Sequence, residues 1–87
     1  MKSIHTAPYI HMLELLVERR NAAGLTQSQV ADRLGRPQSY VSKFERGERR
    51  LDVIEFLEVC RQLETDPFDL LRTLEATDKP AVRVREG

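Results

Sequence analysis

Three glycines, Gly24, Gly35 and Gly47, each close a short run of helix-patterned residues, and they confine the chain to short helices joined by tight turns. Residues 8–23 place Tyr9, Met12, Leu13, Leu16 and Val17 at helical spacing, with Ala22 and Ala23 at the end. Pro8 is acceptable in the first turn of that helix. Thr26 opens a second helix: its hydroxyl caps the first free N–H groups, and Gln29 completes a capping-box pattern. Val30, Ala31 and Leu34 form the inner stripe, and Gly35 ends it. The link Gly35-Arg36-Pro37 leads to a third short helix, Gln38 to about Arg46, with Val41 and Phe44 inward and Gln38, Ser39, Ser42 and Lys43 on the other side. Asp52 caps a fourth helix running to about Leu63, with Val53, Leu57, Cys60 and Leu63 as its apolar stripe. Asp66 as N-cap and Pro67 behind it start a fifth, reaching about Glu75, with Phe68, Leu71 and Leu74 apolar. The expected fold is all-α, five helices in one compact bundle.

The 87 residues allow one small domain and exclude large enzyme scaffolds. A domain over residues 8–75 is expected, followed by a tail over 76–87, flexible or ordered by a partner. Within that tail Ala81-Val82-Arg83-Val84-Arg85 alternates as a short strand with a partner chain would. The single Cys60 excludes an internal disulfide and reads as a small core residue. No apolar run approaches the roughly 18 residues of a membrane span, and no signal-peptide pattern stands at the start. A cytoplasmic protein is the expectation.

The net charge is zero, from 14 basic and 14 acidic side chains, which by itself argues against a nucleic-acid partner. Its distribution reverses that inference. Residues 33–50 carry six basic side chains (Arg33, Arg36, Lys43, Arg46, Arg49, Arg50) against two acidic, whereas residues 51–78 carry eight acidic against two basic. A basic block stands beside an acidic one.

Two short helices joined by a tight glycine turn are the helix-turn-helix pattern, here over about residues 26–46. Gly24-Leu25-Thr26-Gln27, Val30-Ala31-Asp32-Arg33-Leu34-Gly35 and Gln38 through Gly47 follow in order at the right spacing. The stretch from about Leu13 to Leu71 resembles the lambda-repressor and Cro type of helix-turn-helix domain, also called the xenobiotic-response-element family.

The resemblance implies that the third helix enters the major groove of double-stranded DNA. Gln38, Ser39, Ser42 and Lys43 then form the base-contacting set. The Gln38 amide carries a donor and an acceptor that match adenine N6 and N7, and Lys43 suits either guanine or a phosphate. Thr26, Gln27, Arg36, Tyr40, Arg46, Arg49 and Arg50 are the expected phosphate contacts, with Tyr40 open to the alternative of packing against the domain. Gln27 is also expected to orient the third helix. Arg33 reads as facing away from the duplex. Arg20 and Glu45 are expected to pair between the first helix and the end of the third. Relatives often have Ser or Thr where this chain has Pro37, which offers no capping hydroxyl but fixes φ for a first helical turn.

The acidic helices should point away from phosphate. Ile54, Phe56, Phe68, Leu70 and Leu74 exceed what one small core needs and are candidates for a homodimer interface, with Phe68 the better core candidate than Phe56. His5, His11 and Glu14 are the nearest approach to a metal set, and a surface role fits them better. No nucleophile motif or phosphate-binding glycine loop is present, so no enzyme activity and no cofactor are expected. The leading reading is a sequence-specific transcriptional regulator, a repressor that covers a near-palindromic operator as a homodimer. Alternatives are an antitoxin with a toxin partner, a restriction–modification controller, and an interaction module that has lost DNA binding. A contact with RNA polymerase would permit activation instead.

Overall fold

The computed structural model describes residues 6–78, which form five helices: α1 Ala7–Ala22, α2 Gln27–Leu34, α3 Gln38–Glu45, α4 Val53–Gln62 and α5 Pro67–Asp78. The expected tail, apart from residues 76–78, lies outside the described residues, as does the alternating segment 81–85. The helix starts follow from side-chain oxygens. Thr6 accepts from the Tyr9 N–H at α1. Thr26 and Gln29 form a reciprocal capping box at α2, and Asp52 and Glu55 form another at α4. Asp66 accepts from the Phe68 N–H at the start of α5.

The helix ends share one closure. After α2, the Gly35 N–H donates to Asp32 O and the Arg36 N–H to Ala31 O, at 3.1 and 3.0 Å. Gly35 sits at φ 69°, a left-handed conformation that glycine adopts without steric cost. The same pair of bonds closes α1 at Gly24, α3 at Gly47 and α4 at Glu64. Glu64, at φ 59°, is the non-glycine in that position.

α2 packs against α3 and α4, α1 against α3 and α5, and α4 against α5. Phe44, Leu16, Leu70, Val30, Val41, Val59 and Cys60 are the most deeply buried side chains. Two expected stripes are rotated. On α4 the inward residues are Phe56, Val59, Cys60 and Leu63, while Val53 is 68% exposed and Leu57 is half-buried. The real stripe also has helical spacing, and it brings the larger aromatic ring into the core. On α5, Leu70 is fully buried, while Phe68 is 63% exposed. The core assignment of Phe56 and Phe68 is therefore the reverse of the one expected. On α1, Leu15 joins the core, and Ala22 and Ala23 are exposed.

α5 also continues three residues beyond Glu75, into the segment expected to be tail. Thr77 Oγ1 donates to Thr73 O at 2.9 Å within that last turn and lies 3.2 Å from His11 Nδ1 on α1. No helix among the described residues is long and apolar enough to cross a membrane.

Candidate nucleic-acid interface

α3 is amphipathic. Tyr40, Val41 and Phe44 are buried; Gln38, Ser39 and Lys43 are exposed, and Ser42 is half-buried. Pro37 is the N-cap residue, extended at φ −67° and ψ 155° and without a side-chain cap, so the helix begins at Gln38 rather than at the proline. The Tyr40 N–H still bonds Pro37 O at 2.9 Å. Thr26 Oγ1 accepts from the Gln29 N–H at 3.1 Å, so its hydroxyl serves the start of α2.

A polar network joins α1, α2 and α3. Arg20 Nε and Nη2 donate to the two Glu45 oxygens at 2.7 and 3.1 Å, and Arg20 Nη1 donates to Leu25 O at 3.0 Å. Glu45 retains only 8% side-chain exposure, so its charge needs this guanidinium. Gln27 Nε2 donates to Glu45 Oε1 at 2.8 Å, and Gln27 Oε1 accepts from Gln38 Nε2 at 3.0 Å. The first residues of α2 and α3 are thereby linked to each other and to the far end of α3.

The arginines around α3 are held in different ways. Arg46 makes a two-pronged pair with Glu48 at 3.0 Å and donates to Ser42 Oγ at 2.9 Å. The hydrogen bond from Arg46 holds the Glu48 carboxyl below its usual range. Both partners are more than half exposed, so a pair of this kind exchanges readily for another anion. Arg36 lies 4.5 Å from the Tyr40 ring centroid, and Arg49 lies 4.6 Å from it. Arg49 also donates to both oxygens of Glu55, at 3.2 and 2.9 Å. Its hydrogen bond, followed by the Asp52 N–H, pulls the Glu55 carboxyl below the ordinary carboxylate range. Arg50 stacks on Tyr9 at 4.3 Å.

Two of the expected phosphate contacts have partners inside the domain. Tyr40 is only 8% exposed, packs edge-on to Phe44 at 5.7 Å, and has its phenol pushed up by burial. It is a platform for arginines. Arg49 belongs to the framework that joins Tyr40 to the start of α4. Arg33 reaches Gln62 O at 3.0 Å, at the end of α4. Phe56 and Leu70 are buried in the monomer and offer no surface to a second copy, and Leu74 is half-buried against the core; Ile54 and Phe68 remain exposed.

Sequence reading missed Glu48, Glu55 and Tyr9. The spacing of Asp52 and Glu55 signals a capping box, but nothing local signals that Glu55 also holds Arg49. Tyr9, taken as a core residue, has its hydroxyl accepting from the Leu51 N–H at 3.0 Å, which ties the loop after α3 to α1. Among the described residues no group of His, Cys, Asp or Glu could hold a metal ion; His5 lies outside them.

Comparison with known proteins agrees with this architecture. A family model described as helix-turn-helix matches residues 16–70. The structure of an XRE-family like protein from Pseudomonas syringae pv. tomato str. DC3000 is 60% identical, with a TM-score of 0.82 over 86% of this chain and 92% of that one. The restriction-modification controller protein C.AhdI from Aeromonas hydrophila is 32% identical, with a TM-score of 0.67 over 75% of this chain and 98% of that one. The comparison with curated proteins gave no match. The chain belongs to the XRE family of helix-turn-helix DNA-binding regulators.

Proposed function

We propose that the protein is a transcriptional repressor that binds a near-palindromic operator as a homodimer, with α3 in the major groove. It acts by occupying DNA rather than by catalysis. The observation that carries this reading is the outward face of α3, where Gln38, Ser39 and Lys43 stand exposed around a helix anchored by the Arg20–Glu45 pair. Gln38, Ser39, Ser42 and Lys43 read bases. Gln27, Arg36, Arg46 and Arg50 hold phosphates, and Arg46 exchanges Glu48 for a phosphate oxygen on binding. Exposed Ile54 and Phe68 are the dimer candidates on the acidic helices. A two-fold dimer would place its recognition helices about 34 Å apart, one turn of DNA.

A second reading is the control of a restriction–modification system. It is favoured by the 32% identity to a protein described as such a controller, over nearly all of that protein's length.

Selection of bound sequences from a random DNA pool tests both the operator and its symmetry. A pool without enrichment would refute specific binding, and a single unrepeated half-site would refute the dimer. Two substitutions test the division of labour. Gln38→Ala should relax preference at one base position, by about 1–3 kcal/mol. Arg50→Ala should weaken all sequences alike and reduce the slope of log affinity against log salt by about one. Identical behaviour of the two variants would overturn the assignment.

A further inference from the structure

The network behind α3 has a direction. An ionised carboxylate only accepts hydrogen bonds and a guanidinium only donates them. Glu45 accepts from Arg20 through both oxygens, and its Oε1 also accepts from Gln27 Nε2. The Gln27 amide can approach Glu45 only with its nitrogen, which turns its oxygen towards Gln38. Gln38 must then answer with its own nitrogen, as it does at 3.0 Å. The carboxamide of Gln38 is thus held with Nε2 on the Gln27 side and Oε1 on the other. A freely rotating amide would offer either order of donor and acceptor.

We propose that Glu45 is a specificity-determining positioning residue: acting through Gln27, it sets which end of the Gln38 carboxamide donates and which accepts. Adenine presents an acceptor at N7 and a donor at N6 in fixed order along the major-groove edge, so one amide orientation matches it and the reverse does not. The Arg20–Glu45 pair therefore contributes to which base is read, although neither residue lies on the exposed face of α3. The inference rests on the proposed entry of α3 into the major groove.

Glu45→Gln and Gln27→Met test it. A glutamine at position 45 keeps one acceptor oxygen, in place of two, for the Arg20 and Gln27 donors, so the Gln27 amide is no longer held nitrogen-first and Gln38 loses its fixed order. Gln27→Met leaves the Arg20–Glu45 pair in place and cuts the link, so it tests the same point even if Glu45→Gln fails to fold. Each variant is compared with the wild type by selection from a random DNA pool, with thermal unfolding alongside. The expected result is a loss of roughly tenfold in base preference at the single position read by Gln38, with the other positions retained. In a Gln38→Ala background neither change should alter that position further. An unchanged preference at that position in Gln27→Met, whatever its overall affinity, would overturn the proposal while leaving specific binding in place. Failure of the wild type to enrich any sequence would overturn the regulator reading itself, and this proposal with it.

Discussion

Cys60 carries its chemistry in its burial. The thiol is fully enclosed on the inner face of α4, and loss of solvent raises its pKa from 9.0 to about 11. A group whose pKa is higher in the folded state adds stability below its unfolded pKa and loses it as pH rises through the folded one. Cys60 therefore destabilises the fold progressively between pH 9 and about 11. Burial raises the Tyr40 phenol as well, in the same direction, so the Cys60 share has to be read by difference. Urea unfolding of wild type and Cys60→Ala across that range should show a steeper alkaline loss in the wild type. Alkylation of the native thiol should be slow and should accelerate with urea, since only the thiolate reacts and only the opened state exposes it.

At the scale of elements, the four helix ends that share the two-bond closure offer an internal comparison. Three place glycine at the left-handed position, and the end of α4 places Glu64 there. A side chain in that conformation costs about 1–2 kcal/mol, part of which glycine returns through the greater entropy of its unfolded chain. Glu64 contributes a contact with Arg33 at 3.5 Å between exposed groups, which is worth little. Glu64→Gly is expected to stabilise the domain by roughly 0.5–1 kcal/mol, measured as a higher urea midpoint at unchanged slope. A lower midpoint would mean that the Arg33 contact outweighs the backbone strain. The opposite design holds at α3, where Pro37 supplies no cap and the start of the helix relies on the Gln27–Gln38 bond and on the packing of Tyr40.

Across the whole molecule, the two phenylalanines outside α3 separate folding from the proposed self-association. Phe56 is 4% exposed and closes the core between helices, whereas Phe68 stands on the acidic side in water. Phe56→Ala should destabilise the monomer by about 3–5 kcal/mol, enough to unfold a small domain in large part. Phe68→Ala should leave thermal stability of the dissociated protein nearly unchanged and weaken self-association in sedimentation experiments. If Phe68→Ala leaves association intact, the proposed dimer uses another surface. The basic residues gather on α3 and the loop after it, while the acidic ones follow on α4 and α5, a polarity that suits the proposed approach of a duplex from the α3 side. Two of the arginines, Arg46 and Arg49, are already paired with carboxylates, which moderates attraction to arbitrary DNA.

The helices, the caps at Thr26, Asp52 and Asp66 and the polar face of α3 were legible in the sequence because each depends on residues within one or two turns. A capping oxygen, a glycine stop and an apolar spacing act locally, so Thr26, Gly35 and Asp52 mark their elements without knowledge of the fold. The order of the three motifs also carried the family. Which face of α4 and α5 turns inward was decided by how the helices cross, since Val53, Phe56 and Leu57 offer competing stripes on one helix and only packing selects between them. The same holds for the site. Exposure of Gln38 follows from the pattern of α3, and the family resemblance carried the Arg20–Glu45 pair, but the bond from Gln27 to Glu45 spans eighteen residues and nothing local signals it. Arg49 looks like any basic residue beside a recognition helix until the tertiary structure places it on Tyr40 and Glu55. Local free energies determined the elements; the close approach of groups far apart in the chain determined what each charged side chain is left able to do.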